Sequence, residues 1–96
     1  MRTIDEIRET VSPIAENYGV AKLYIFGSYA RGDNTDDSDI DLRIDKGQVK
    51  GLQMAALLLD LEEALQKPVD LVSTTALSPS FLDSIAREEK LIYAAV

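Results

Sequence analysis

The segment of residues 23–42 constrains the fold of this chain more than any other. It begins with an apolar run that stops at Gly27–Ser28, and it ends where Asp39 and Asp41 alternate with aliphatic residues. Side chains alternate between the two faces of a strand, so the two carboxylates share one face and the aliphatic side chains share the other. The pattern predicts a strand, a tight turn into a short helix, a polar loop and a second strand with one charged face.

The acidic pair suits a hard divalent cation. Two carboxylates at adjacent positions of one strand face repel each other unless a cation lies between them. Mg²⁺ prefers oxygen ligands; it usually takes one or two carboxylates and completes its shell with water and substrate phosphate. Asp39 and Asp41 are therefore candidate metal ligands and candidate catalytic residues.

Gly27, Ser28 and Arg31 form a candidate phosphate-binding turn. Glycine lets the backbone approach an anion closely, and the Ser28 hydroxyl can donate to a phosphate oxygen. A helix that begins there points its free N–H groups at the same anion. Arg31 follows one helical turn later, where its guanidinium could reach the same phosphates, and Gly32 suits the end of the helix.

Three other motifs are excluded by the residues in this segment. Gly27 and Gly32 have the glycine spacing of a P-loop, but Asp33–Asn34 follow where that motif needs Lys and Ser or Thr. The aspartates that begin at Asp37 resemble the opening of a calcium loop, but its sixth position is Leu42 where the sharp turn requires glycine. The sequence also contains no Gly-x-Gly-x-x-Gly dinucleotide fingerprint.

Composition restricts the chemistry and the partners. The 96 residues predict one small domain, 1–96, without a separate substrate-recognition domain. The absence of Cys and His excludes thiol, zinc–thiolate and imidazole chemistry, so an oxygen-ligated metal remains. A net charge of −7 argues against a nucleic-acid acceptor. No apolar run is long enough for a membrane span and the first residues are not a signal peptide, so we expect a cytoplasmic protein without a membrane partner.

Periodicity predicts alternating helices and strands. A capping box of Thr3 and Glu6 begins a first helix, in which Pro13 should cause a kink or start a second helical piece capped by Ser12. A second long helix contains residues 52–65, and Ser78–Pro79 begin a third. Strands are predicted at 20–26, 38–44, 69–72 and 91–94. The expected fold class is α/β (α+β), a small mixed four-stranded sheet with helices packed on one face.

A third carboxylate is expected from one of two positions. Sites that hold two divalent metal ions commonly take a further acid, which binds the second ion and can help to deprotonate an attacking group. Asp70 faces away from its apolar neighbours in the short strand 69–72, on a polar face that matches that of Asp39 and Asp41. Asp45, on the same strand face as Asp41, is the alternative.

The combined motifs resemble a known family. The runs Gly27–Ser28, Ala30–Arg31–Gly32 and Ser38–Leu42 are similar to the signature of the minimal nucleotidyltransferase (MNT) domain, a small branch of the DNA polymerase β-like nucleotidyltransferases. The resemblance implies a polymerase β-like fold and assigns the third acid to Asp70. It also implies a Mg²⁺-dependent enzyme, with two ions held by the three acids and ATP oriented by Gly27, Ser28 and Arg31.

The resemblance further implies a toxin–antitoxin role. MNT antitoxins of type VII pairs neutralise a HEPN ribonuclease by adenylylating one of its tyrosines or by binding it. Two alternatives remain open: a non-catalytic MNT fold that inhibits its partner by contact, and nucleotidyl transfer to a small molecule. The second alternative is less favoured because the aminoglycoside-modifying relatives carry an additional domain.

Overall fold

A mixed four-stranded sheet carries the acidic and glycine-rich positions of the chain. The computed structural model describes residues 3–96. The strands are β1 (Lys22–Phe26), β2 (Ile40–Asp45), β3 (Val69–Ser73) and β4 (Lys90–Ala94), in the spatial order β3-β2-β1-β4. β1 runs antiparallel to both β2 and β4, whereas β2 and β3 are parallel. The predicted mixed sheet is confirmed.

Two long helices cover one face of this sheet. The helices are α1 (Ile4–Tyr18), α2 (Ser28–Arg31), α3 (Leu52–Leu65) and α4 (Pro79–Ala86), with a 3-10 turn at Thr74–Ala76. α1 and α3 pack against each other and against the sheet, and burial of each large apolar side chain stabilises the fold by about 1.5–3 kcal/mol. The fully buried side chains of this core include Ile7, Val11, Leu23, Ile25, Leu42, Ile44, Leu57 and Leu61.

The first helix begins and ends as predicted. The Thr3 hydroxyl accepts from the backbone N–H of Glu6 at 3.1 Å, and the Glu6 carboxylate accepts from that of Thr3 at 3.0 Å. Gly19 ends the helix with a φ of 74°, which favours glycine. The helix runs through Pro13 without a break, so a second piece capped by Ser12 is excluded; the Ser12 hydroxyl instead donates to the Arg8 carbonyl oxygen at 2.6 Å.

Two strands begin two residues later than predicted. β1 starts at Lys22 because the N–H of Val20 still belongs to the helix end, where it donates to the Ala15 carbonyl. β2 starts at Ile40, which donates to the Pro68 carbonyl. Proline has no N–H to give, so the parallel ladder cannot extend towards residue 38.

The second face of the sheet is partly covered by α4. Phe81 of α4 packs edge-on against Phe26 of β1, with ring centroids 6.1 Å apart, and Ile85 of the same helix is buried. The face that packs against α1 and α3 is thus covered more completely than the second face, where α4 contacts the end of β1.

The outer side of α3 remains apolar at the surface. Leu57, Leu61 and Leu65 are buried, whereas Leu52 and Leu59 are exposed.

Among the described residues, no helix combines the length and the apolar character needed to cross a membrane.

Candidate active site

Asp41 and Asp70 lie side by side on the second face of the sheet. They are paired positions of the parallel strands β2 and β3, whose backbones are about 4.8 Å apart in such a sheet. Asp41 is half-buried and Asp70 is exposed, whereas Ile40 and Leu42 point into the core. The structure therefore brings these two predicted acids together.

Asp39 lies one residue before β2 and is exposed. The loop that carries it is held by Lys67, whose Nζ donates to the carbonyl oxygens of Asp36 and Ser38. The charge of Asp39 contributes to the raised pKa of Asp41, so the two carboxylates are within electrostatic reach of each other. The three predicted acids thus share one region, although Asp39 is not part of the strand as predicted.

Gly27 allows the chain to leave β1 beside Asp41. Phe26, the last residue of β1, pairs directly with Asp41 across the antiparallel strands. Gly27 has φ 72° and ψ −151°, a backbone region that is essentially restricted to glycine. A Cβ at this position would overlap Oδ2 of Asp41 and lie 3.1 Å from its Cγ. Glycine is therefore required both by the backbone conformation and by the carboxylate beside it.

Ser28 and Arg31 are the first and last residues of α2, so both lie next to Gly27. The Arg31 guanidinium donates from Nε to Oδ2 of Asp33 and from Nη1 to both carboxylate oxygens of Glu88, each at 3.2 Å. These bonds raise the pKa of Arg31, that to Asp33 contributing most. The arginine is therefore charged and held close to the turn.

Glu88 was not identified from the sequence. Besides its contact with Arg31, it accepts a hydrogen bond from the backbone N–H of Gly27 at 3.1 Å. It lies between α4 and β4, and it reaches the turn because β4 pairs with β1. The sequence signal is an acidic pair, Glu88–Glu89, one residue before the predicted strand 91–94, and such a pair does not reveal which strand is its neighbour.

The carboxylate of Asp41 lies in an unfavourable electrostatic environment. Burial, followed by the negative charges of Asp70 and Asp39, raises its pKa above the ordinary value. A divalent cation between these oxygens would remove the repulsion, and carboxylate oxygens are the donors that Mg²⁺ prefers. Within residues 3–96, no three acidic side chains are arranged so that together they could hold a metal ion. The neighbouring pair Asp41 and Asp70 remains, and a pair of carboxylates suits Mg²⁺ only where water and substrate phosphate complete its shell.

Asp45 has a different set of contacts. Its Oδ1 accepts from the Thr74 hydroxyl at 2.5 Å and lies 3.5 Å from Nη1 of Arg43. Four strand positions separate it from Asp41, or about 13 Å at the usual rise. Asp45 therefore belongs to a polar network at the other end of β2, and the geometry favours Asp70 as the third acid.

We expect Asp41→Asn to raise the melting temperature by about 2–5 °C near neutral pH without divalent cations, because the amide removes a partly buried charge that its neighbours repel. The pKa of Asp41 is raised in the folded state, so its protonation favours folding, and that contribution is lost as pH rises through the folded pKa. The advantage of the variant should therefore shrink as the pH falls towards about 4, the ordinary range of an aspartate.

Thermal denaturation in a chelator across this pH range measures the effect. Asp37→Asn, in the exposed loop, is the matched control and should leave the melting temperature unchanged. If Asp41→Asn melts below the wild type near neutral pH, its carboxylate is stabilised by its surroundings and the repulsion argument is wrong.

Comparison with known sequences gives a consistent result. The family described as polymerase beta, nucleotidyltransferase matches residues 9–95. An inferred protein adenylyltransferase of Methanocaldococcus jannaschii is 38% identical over 86 residues, which are 88% of this chain and 92% of the relative. The protein adenylyltransferase MntA of Thermococcus cleftensis is 31% identical, over 92% of this chain and 94% of the relative.

Comparison with solved structures agrees on the fold. An inferred minimal nucleotidyltransferase is 32% identical with a TM-score of 0.80, over 93% of this chain and 95% of that one. The MNT antitoxin in complex with a tri-AMPylated Shewanella oneidensis HEPN toxin gives a match with a TM-score of 0.72 at 19% identity, over 97% of this chain and 74% of the matched chain. At that identity the second match bears on the fold alone.

Proposed function

This chain belongs to the polymerase β nucleotidyltransferase family, and from this premise we propose that it is a protein adenylyltransferase that transfers AMP from ATP to a tyrosine hydroxyl of a HEPN toxin. The family membership confirms the resemblance seen in the motifs. The observation that carries the proposal is the position of Asp41, which has Asp70 beside it on β3 and Gly27 beside it in the turn that follows β1.

The substrate is held by groups at the end of β1. The Gly27 backbone, the Ser28 hydroxyl and the Arg31 guanidinium bind the triphosphate, and this leaves the α-phosphate next to Asp41. Asp39, Asp41 and Asp70 are the ligands of two Mg²⁺ ions in this proposal. Mg²⁺ bound there would neutralise the charge of the phosphates and lower the pKa of the acceptor hydroxyl.

The reaction is a displacement at phosphorus. The tyrosine oxygen forms a bond to the α-phosphorus of ATP, the bond from that phosphorus to the oxygen that bridges to the β-phosphate breaks, and pyrophosphate leaves with the electron pair. The phenolic proton passes to Asp70, which is exposed and therefore accessible to an acceptor protein. A tyrosine hydroxyl, with an ordinary pKa of about 10, is easier to deprotonate than a serine or threonine hydroxyl.

The partner is inferred from the relatives and from charge. The solved complex with a HEPN toxin provides the class of acceptor, and the net charge of −7 disfavours RNA or DNA in that role. We accordingly propose that the chain is a single-domain antitoxin that acts in the cytoplasm, where its ATP is available.

The proposal is tested with the purified chain, a cognate HEPN toxin, ATP and Mg²⁺. We expect intact-mass analysis to show AMP adducts on the toxin, peptide mapping to place them on tyrosine, and the ribonuclease activity of the toxin to fall as the adducts accumulate. A parallel reaction without Mg²⁺ should leave the toxin unmodified.

Two results would point to other functions. Inhibition of an unmodified toxin would favour a binding module that acts by contact alone. Label from ATP on added RNA would show that the argument from net charge was wrong.

A further inference from the structure

Two consecutive glutamates lie between α4 and β4, and each one contacts an arginine, one in α2 and the other in β2. Glu88 contacts Arg31 and Glu89 contacts Arg43. The two ion pairs differ in geometry and in exposure, and this difference suggests that they have different roles.

The Glu89–Arg43 pair is a buried fork. Nε and Nη2 of Arg43 donate to the two carboxylate oxygens of Glu89 at 3.0 and 2.7 Å, and the side chains are only 10% and 13% exposed. The same guanidinium donates to the Thr74 hydroxyl and stacks on Tyr24 at 3.9 Å from the ring centroid. Separating a buried pair of this kind is costly, so this contact anchors the α4–β4 segment.

The Glu88–Arg31 pair is more open. Both Glu88 oxygens approach the same nitrogen, Nη1, at 3.2 Å, and the side chains are 48% (Arg31) and 26% (Glu88) exposed. Glu88 also accepts the backbone N–H of Gly27. A partly exposed pair with this geometry contributes little net stability, so its partners can be exchanged for others.

We propose that Glu88 is an internal substitute for phosphate, which occupies the Gly27 N–H and the Arg31 guanidinium in the free protein and is displaced when the triphosphate of ATP binds. A carboxylate and a phosphate both bind to a backbone N–H and a guanidinium, and two anions cannot share those donors without repulsion. The inference rests on the proposed function, since it assumes that ATP binds at this turn.

The surrounding contacts allow this exchange without refolding. Asp33 binds Nε of Arg31, so the guanidinium stays beside the turn when Glu88 leaves Nη1. The Glu89–Arg43 fork holds the backbone of the α4–β4 segment, so only the Glu88 side chain has to rotate. The consequence is that ATP binds more weakly than the turn itself would allow, because part of its binding free energy is used to displace Glu88.

The test compares the affinity of wild type and Glu88→Gln for ATP with Mg²⁺ by titration calorimetry, without an acceptor protein. Glutamine has the same shape and can still accept the Gly27 N–H, but it has no charge to hold Arg31. We expect the Kd for ATP to fall about two- to fivefold, the effect of removing one partly exposed ion pair from competition. Asp83→Asn removes an exposed charge on α4 and is the matched control, for which we expect no change.

A double-mutant cycle with Arg31→Ala separates competition from a general effect of charge. Once Arg31 is absent, Glu88→Gln should no longer change the Kd. An unchanged or increased Kd in Glu88→Gln alone would overturn the inference, since an increase would mean that Glu88 positions Arg31 for ATP. An equal decrease in Asp83→Asn, or a decrease that persists without Arg31, would also overturn it. If the wild type binds no ATP, the proposed function and this inference are both rejected. If the wild type binds ATP and one of the overturning results above is found, only the inference is rejected.

Discussion

Asp41→Asn will lower AMP transfer to the toxin by roughly 10³-fold or more, because the loss of a metal-binding carboxylate removes several kcal/mol of transition-state stabilisation. Asp41 is paired with Asp70 on β3 and with Phe26 on β1, and its carboxylate lies so close to Gly27 that a Cβ on that residue would overlap it. Replacing one carboxylate oxygen of Asp41 by an amide nitrogen removes the negative charge and leaves the size of the side chain almost unchanged. We expect the variant to fold and still to bind the toxin.

The same assay decides which residue is the third acid. Asp70→Asn should also abolish most of the transfer, whereas Asp45→Asn should keep it, since the Asp45 contacts to Thr74 and Arg43 lie about 13 Å along the strand from Asp41. Initial rates of adduct formation, measured by mass spectrometry, provide the comparison. Full transfer by Asp41→Asn would exclude Asp41 as a metal ligand. Loss of transfer in Asp45→Asn with retention in Asp70→Asn would reverse the assignment of the third acid.

Gly27→Ala will remove transfer and destabilise the fold at once. Its backbone conformation costs a residue with a side chain about 1–3 kcal/mol, and the new methyl group would overlap the Asp41 carboxylate. That carboxylate must move, and a displacement of about 1 Å at a reacting centre can cost about 10²-fold in rate. We expect a lower melting temperature and no measurable AMP adduct on the toxin.

Gly51→Ala separates these two effects. Gly51 also has a positive φ of 53° with a negative ψ of −125°, but a Cβ there would have no atom within 4 Å. This variant should lose stability to a similar extent through its backbone and keep its rate of transfer. Melting curves and adduct rates for both variants provide the test; equal rates in Gly27→Ala and the wild type would show that the turn does not set the position of Asp41.

Much of the site was predictable because it depends on alternation along single strands. Because side chains alternate between the two faces of a strand, the sequence alone places Asp41 on the polar face of β2 and Asp70 on the polar face of β3. The abrupt end of an apolar strand at Gly27–Ser28 indicated the turn. These signals are local. They hold in the structure because the apolar side chains on the opposite faces of the strands are buried in the core.

The contacts of Glu88 and Glu89 were not predictable in this way. Glu88 meets Gly27, 61 residues away in the sequence, because β4 joins the free edge of β1. No local sequence pattern predicts which edge of the sheet the last strand will pair with. The start of β2 also depended on a distant residue, since Pro68 gives the ladder no N–H to continue.

The parallel pairing of β2 and β3 also explains how two like charges remain neighbours. Two unit charges separated by the usual spacing of neighbouring strands, about 4.8 Å, repel each other by about 1–3 kcal/mol for effective dielectric constants of 80 to 20. Sliding β3 by one residue would move Asp70 to the other face and remove the repulsion. It would also turn Val69 and Leu71 away from the helices and expose these apolar side chains to water. Exposure costs about 1.5–3 kcal/mol for a side chain that is fully buried. The burial of Val69 and the partial burial of Leu71 thus oppose this slide and favour the observed register, so the pairing of β2 with β3 keeps two mutually repelling oxygen donors side by side, ready for a cation.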